Sequence, residues 1–170
     1  SVRNIGYRMI RPVKRSDAKV IANIYNHYVK NTVITFEEEC IDSNEMVKRI
    51  EKVADANLPW LVIVEDDILL GYAYATPWKA RSAYRFSVEA TVYLAPKEKG
   101  KGLGTQLYQA LLSELRKKSI HSVLGGITLP NTASVALHEK LGMTKIAHFH
   151  QVGRKFDQWL DTGYWQLTLD

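Results

Sequence analysis

The sequence predicts an α/β fold, a three-layer α/β sandwich whose central sheet is mixed and mostly antiparallel. Two observations predict it. Between residues 60 and 94 three strand-like segments follow one another with only turn or loop signals between them, which makes them antiparallel neighbours. Over residues 86–129 a strand, a leucine-rich helical stretch and a further strand then follow in succession, the order and length of a parallel crossover. Helices before and between the strands would cover both faces of such a sheet.

Taken in order, "YRMIRPV" (7–13) alternates like a first strand, and Ser16 or Asp17 caps a helix with the apolar stripe Ile21, Ile24, Tyr25, Tyr28 and Val29. Asp42 and Glu45 resemble a capping box ahead of a second helix, whose buried side is Met46, Val47, Ile50 and Val53. "WLVIVED" and "ILLGYAYAT" flank Asp66–Asp67 as a hairpin, and "FSVEATVYL" (86–94) is the next strand. Leu103, Leu107, Leu111, Leu112 and Leu115 repeat at helical spacing up to Lys117, and "SVLGGITL" follows as a strand. Thr132 or Ala133 opens a short helix closed by a left-handed cap at Gly142; strand-like stretches at 143–152 and 163–169 finish the chain. Residues 1–170 are expected to form a single domain, with no internal repeat or low-complexity segment.

Composition narrows the function. A 46% hydrophobic share beside 24% charged residues is that of a globule with a full core, and no apolar run approaches the roughly 20 residues that span a bilayer. No membrane association is expected, and with no secretory pattern the cytoplasm is the expected location. The single cysteine, Cys40, has no partner for an intrachain disulfide or a CxxC motif. The net charge of +5 comes from 23 basic residues interspersed with 18 acidic ones, which favours an anionic small molecule and not nucleic acid as the partner.

The stretch "KGKGLGT" (99–105) lies between a strand and a helix, where free backbone N–H groups and the positive end of the helix dipole attract phosphate oxygens. Gly100, Gly102 and Gly104 fit neither a Walker loop nor a Rossmann fingerprint, which argues against a kinase or a dehydrogenase. Without context these glycines read as a tight turn. Lys97, Lys99 and Lys101 in the same loop, directly after a strand, favour a ligand.

"VYLAPKEKGKGLG" resembles the acyl-CoA-binding motif of the GNAT superfamily of N-acetyltransferases, in which a Gln or Arg is followed by xxGxG or xxGxA. Lys99 stands at the leading position, keeping charge while losing bidentate geometry. The resemblance runs over nearly the whole chain and implies that the amides of Gly100, Lys101, Gly102, Leu103, Gly104 and Thr105 cradle the pyrophosphate of acetyl-CoA. It further implies that the backbone of Val92, Tyr93 and Leu94 pairs with the pantetheine arm. "LPNTASVALHEKLGM" (129–143) is similar to a second family element, placing Asn131 on the coenzyme and Lys140 near its phosphates. Read alone, Asn131 is equally an ordinary turn residue before a helix.

Acetyl transfer to an amine needs a base, because amino groups are largely protonated at neutral pH. Strand parity puts Ser87, Glu89, Thr91 and Tyr93 on one face, so Glu89 is a carboxylate inside an otherwise apolar strand, costly unless paired or used. It is the candidate base; a structural ion pair is the alternative. The resemblance assigns Tyr108 the role of acid toward the departing thiolate, whereas helical periodicity alone makes it a core aromatic. His138 is a secondary candidate, with a satisfied polar contact on its helix as the alternative. His148 and His150 alternate on a strand and could turn toward a metal, but two ligands without a third leave no metal expected.

Within the superfamily the sequence is most similar to the phosphinothricin and methionine sulfoximine N-acetyltransferases, through "NTVITFEEE" (31–39), "TPWKARSAYRFSVEATVYL" (76–94) and "GYWQL" (163–167). That similarity implies a small amino acid analogue as substrate and a detoxification or herbicide-resistance role. It makes Lys79 and Arg81 partners for acidic substrate groups, with Phe36, Tyr84, Thr91 and Tyr93 shaping the pocket around Glu89. As a loop, "WKAR" is suited to a zwitterion with an extra polar end, though exposed cations are usually just solvated. Alternatives are another amine, such as a protein N-terminus or an aminoglycoside, and a binding module without catalysis. A homodimer is expected, with Trp78, Trp159 and Trp165 as interface candidates or core residues.

Overall fold

Alternating and helical hydrophobic periods in the sequence become elements at nearly the expected positions. The structure, a computed structural model, describes residues 8–170. In chain order it contains β1 (Arg8–Pro12), α1 (Ala18–Asn31), α2 (Ser43–Asp55), β2 (Trp60–Glu65), β3 (Ile68–Pro77), β4 (Ser87–Leu94), α3 (Leu103–Lys117), β5 (Ser122–Leu129), α4 (Thr132–Lys140), β6 (Thr144–Lys155) and β7 (Gln158–Thr168). Tyr7, the expected start of β1, lies outside the described residues.

The strands form one 7-stranded sheet in the order β1-β2-β3-β4-β5-β7-β6. Only β4 and β5 run parallel, joined by the crossover through α3. Two cores result, one on each face. Ile21, Ile24, Tyr25, Tyr28 and Val29 of α1 and Met46, Ile50 and Val53 of α2 bury against Trp60, Val62 and Tyr72. On the other face Leu103, Leu107, Leu111, Leu112 and Leu115 of α3 bury against Ile63, Ala73, Val88, Ala90 and Val123. Val88 and Ala90 pack toward α3 while Tyr93 packs toward α1, the parity expected for β4. Asp42 caps α2 by accepting from the Glu45 amide at 2.8 Å, and Gly142 closes α4 at φ +90°.

The C-terminal hairpin is longer than its sequence pattern suggested. β6 continues to Lys155 and β7 starts at Gln158, so Phe156 and Asp157 alone make the turn, both with positive φ. Exposed polar residues on both arms hide the strand period. Trp165, an interface candidate, is instead a core residue, 2% exposed with its Nε1–H donating to Glu139.

Candidate active site

β4 and β5 pair through three register positions, Ser87–Ser122, Val88–Val123 and Glu89–Leu124, and no further. β5 remains paired with β7 along its whole length, and β4 with β3. The second half of β4 therefore diverges from β5 and leaves a wedge-shaped gap in the middle of the sheet. Three cavities meet around it.

A cleft of about 340 Å³ lies at the start of α3, bounded by Tyr28, Val92–Leu94, the glycine loop and Asn131. Gly100 and Gly102 have φ of +81° and +79°, and a Cβ on either would meet nothing within 4 Å. Backbone conformation, not crowding, therefore selects glycine here, and the loop stays open to solvent. No side chain caps α3, and the first amide of this helix to find a partner is that of Gln106, donating to the Gly102 carbonyl. The amides of residues 103–105 thus present an unsatisfied, electropositive helix start, which fits a pyrophosphate. Lys99 places its Nζ 5.1 Å from the Tyr28 ring centre at the edge of the same cleft. Asn131 lines it while capping α4, its Oδ1 accepting from the Ser134 amide at 3.1 Å.

On the α1 and α2 side of the gap is a second cavity, about 480 Å³, with Glu89, Thr91 and Tyr93 of β4 as its floor. Thr35 and Phe36 come from the loop between α1 and α2, and Phe149, Val152 and Tyr164 from the C-terminal hairpin. Among the described residues no cation pairs with Glu89, and burial raises its carboxyl above the ordinary glutamate value. A structural ion pair for Glu89 therefore has no partner among the described residues. The Thr35 segment is tied down on both sides: Lys155 donates to the Thr35 carbonyl at 2.8 Å, and the Tyr25 hydroxyl bonds Thr35 Oγ1 at 2.8 Å. Arg49 holds Glu37 through both guanidinium nitrogens, and Tyr25 also donates to Glu37. The Phe36 ring lies where a Cβ on Gly153 would stand.

A narrow passage of about 80 Å³ runs between the two cavities, lined by Thr91, Val92, Gly126, Asn131, Ser134 and His138 among others. His138 is 7% exposed, and its Nδ1–H donates to the Ser134 carbonyl at 2.7 Å. Burial lowers its pKa, so the neutral ring keeps a free lone pair on Nε2.

The structure separates several residues that sequence reasoning grouped. Tyr108 is fully buried in the α3 core, its hydroxyl has no hydrogen-bond partner, and it lines none of these three cavities; the leucine stripe of α3 draws it inward. It reaches the passage only through His138, whose ring meets its own edge-on at 5.1 Å. Lys79 and Arg81 line a different cleft beside Asn57 and Lys118, because the chain turns away after Pro77 and the Trp78 amide ties back to the Ser87 carbonyl. Lys79 rests 5.0 Å from the Trp78 ring centre, and it is Trp78 that touches Tyr164 of the Glu89 cavity. Tyr84 is exposed in a turn at Ser82–Tyr84 and lines none of these cavities. Lys101 points outward to Glu98, and Lys140 ends α4 on the surface, away from the cleft.

Sequence reasoning missed Thr35, Thr128, Phe149, Val152 and Tyr164 as cavity residues. Tyr164 and Thr35 carried a signal, since they sit in the stretches "GYWQL" and "NTVITFEEE"; Thr128 lines the cavity from β5, and Phe149 and Val152 reach it beside a strand bulge that has no local signature.

The chain matches the family described as "Acetyltransferase (GNAT) domain" over residues 10–163. It is 39% identical over 161 residues to a phosphinothricin N-acetyltransferase of Streptomyces viridochromogenes, covering 95% of this chain and 87% of that one. It is 37% identical to an L-methionine sulfoximine/L-methionine sulfone acetyltransferase of Salmonella typhimurium, covering 95% and 94% of the two chains. The structure is similar to that of a GNAT superfamily phosphinothricin acetyltransferase from Sinorhizobium meliloti in complex with AcCoA. The TM-score is 0.92 and the identity 32%, with 95% of this chain and 88% of that one aligned.

Proposed function

This chain belongs to the GNAT acetyltransferase family and is an acetyl-CoA-dependent N-acetyltransferase, and from that premise we propose that it acetylates a small amino acid analogue of the phosphinothricin, methionine sulfoximine or methionine sulfone type. The observation that carries this reading is Glu89, a half-buried carboxylate without a cation among the described residues, on the floor of a cavity that opens through the sheet gap to the glycine-loop cleft. A volume of about 480 Å³ suits a small molecule better than a protein surface.

In the proposed reaction the amides of residues 103–105 hold the pyrophosphate of acetyl-CoA, and the unpaired edge of Val92–Leu94 runs alongside its pantetheine arm. Acetyl-CoA supplies the thioester. Glu89 takes a proton from the substrate ammonium, directly or through one water; the raised carboxyl makes it a better base near neutrality. The amine nitrogen then bonds the acetyl carbon, its second proton passes to the free Nε2 of His138, and the carbon–sulfur bond breaks as the departing thiolate takes that proton. A backbone N–H of β4 near Val92 polarises the carbonyl oxygen. We assign this relay to the Tyr108–His138 pair: His138 faces the passage and carries the amine's proton to the thiolate, and Tyr108 stands behind its ring.

The test is thiol release from acetyl-CoA with a panel of methionine sulfoximine, methionine sulfone, phosphinothricin, free amino acids, an aminoglycoside and an N-terminal peptide. Selective turnover of the first three supports the reading. Preference for the aminoglycoside or the peptide, or acetyl-CoA binding with no turnover, rejects it.

Detoxification is the role that follows from such substrates. We further propose one domain over residues 1–170, acting in the cytoplasm as a homodimer. Phe149, Val152, Phe156 and Trp159 give the C-terminal hairpin an exposed apolar surface suited to a second copy. A sedimentation measurement that finds only the mass of one chain would refute the dimer. No helix is long and apolar enough to cross a membrane among the described residues.

A further inference from the structure

We propose that His148, His150 and Asp161 form a zinc-binding site on the C-terminal hairpin, on the face of the sheet opposite the Glu89 cavity. Phe149, between the two histidines, lines that cavity, so strand alternation sends both imidazoles the other way. The pair of histidines lacked a third ligand in the sequence; the fold provides it from the neighbouring strand.

A bulge makes the arrangement. β6 pairs Phe149 with Thr162 and next Gly153 with Leu160, so three β6 residues stand opposite Asp161 alone. Gln151, at φ +51°, turns its amide to donate to Asp161 Oδ1 at 2.8 Å. That bond fixes the carboxylate and leaves Oδ2 facing both rings, 2.8 Å from His148 Nε2 and 3.4 Å from His150 Nδ1. The rings stack at 4.5 Å, and the three donor atoms all lie within 4.8 Å of one another. Tetrahedral zinc with bonds of about 2.0–2.1 Å sets its ligand atoms about 3.3 Å apart, and the two Asp161–histidine separations, 2.8 and 3.4 Å, bracket that spacing. Two imidazoles and one carboxylate make a borderline-soft set suited to zinc, and the exposure of His150 leaves the fourth position to water. The Gln151 amide is the outer contact that such a carboxylate needs.

Lys145 opposes the site. Its Nζ lies 2.9 Å from His148 Nδ1, which must therefore act as acceptor and keeps the ring proton on Nε2, toward Asp161. Zinc on Nε2 displaces that proton and needs one on Nδ1, so the ammonium must leave. It has a place to go, because it already lies 5.5 Å from the Trp165 ring centre.

The untagged, metal-free full chain is titrated with zinc chloride by calorimetry, and separately with cobalt(II) followed by its visible absorption. One equivalent of zinc and the strong absorption of four-coordinate cobalt are expected. His150→Ala, at an exposed position, and Asp161→Asn should each weaken zinc at least about tenfold, and Lys145→Met should tighten it. The same zinc affinity in wild type and both ligand variants, a weak six-coordinate cobalt spectrum, or no gain in Lys145→Met would overturn the site as drawn.

Discussion

The Glu89 carboxylate lies over the bare Cα of Gly126: its Oε2 is 3.4 Å from the point where a Cβ would stand, and the Tyr164 ring is 3.0 Å from that same point. On the opposite face the adjacent Gly125 lies under His138 and Tyr108, at 2.7 and 3.1 Å from their nearest atoms. The two glycines of β5 thus make room for the proposed base on one side and the proposed acid on the other. Gly126→Ala should crowd the Tyr164 ring, which walls the cavity beside Glu89, costing about 1–3 kcal/mol of stability by overpacking and lowering kcat/KM for the amine. Acetyl-CoA binding, measured by calorimetry, should be nearly unchanged.

Replacing Glu89 by Gln should leave acetyl-CoA binding intact and lower kcat by about a hundredfold or more. The wild-type rate should rise with pH through a carboxyl titration set above the ordinary glutamate value, and that limb should vanish in the variant. Stability carries the opposite sign. Because the folded-state pKa is raised, the folded protein binds the proton more tightly, so Glu89 costs stability as pH rises from the ordinary to the raised value. Thermal unfolding should therefore find Glu89→Gln more stable than wild type at neutral pH, with the difference shrinking in acid. A turnover equal to wild type would remove Glu89 from the base role.

Tyr108→Phe separates structure from catalysis. Its hydroxyl is buried without a partner, so its removal should keep or raise the unfolding midpoint. If the Tyr108–His138 pair protonates the thiolate, turnover falls in both Tyr108→Phe and His138→Ala, and least for substrates whose slow step precedes thiolate departure. Full activity in the phenylalanine variant would make Tyr108 a packing residue only.

Lys155 reaches from β6 to the Thr35 carbonyl and is 2% exposed. Lys155→Met keeps the length of the chain but leaves that carbonyl without its donor, at about 1–3 kcal/mol. Thr35 and Phe36 border the amine cavity, so steady-state kinetics should show a higher KM for the amine with kcat little altered.

The legible parts of this protein are those governed by local period. The leucine stripe of α3, the parity of Glu89 on β4 and the parallel crossover follow from spacing alone, and the glycine loop follows from its place between strand and helix. What sequence spacing could not supply is direction. Lys79 and Arg81 share a loop with Trp78, yet the turn after Pro77 sends the cations to another cleft and only the indole toward the Glu89 cavity. Tyr108 sits on the leucine face of α3 and His138 on the buried side of α4, and the sheet gap, a feature of strand geometry, decides which of them meets the passage. Asp161 joins His148 and His150 only because a bulge forms around Gln151, ten residues upstream of it in the chain.

The short β4–β5 ladder has a mechanical meaning as well. A seven-stranded sheet held at its middle by three register positions is two blades on a common pivot, with α3 as the strap between them. A molecule lying along the open edge of β4 would supply the missing rungs and lock the blades together. Slowed amide hydrogen exchange across Ala90–Leu94 and Gly125–Leu129 on adding acetyl-CoA would register that stiffening, even with no amine present.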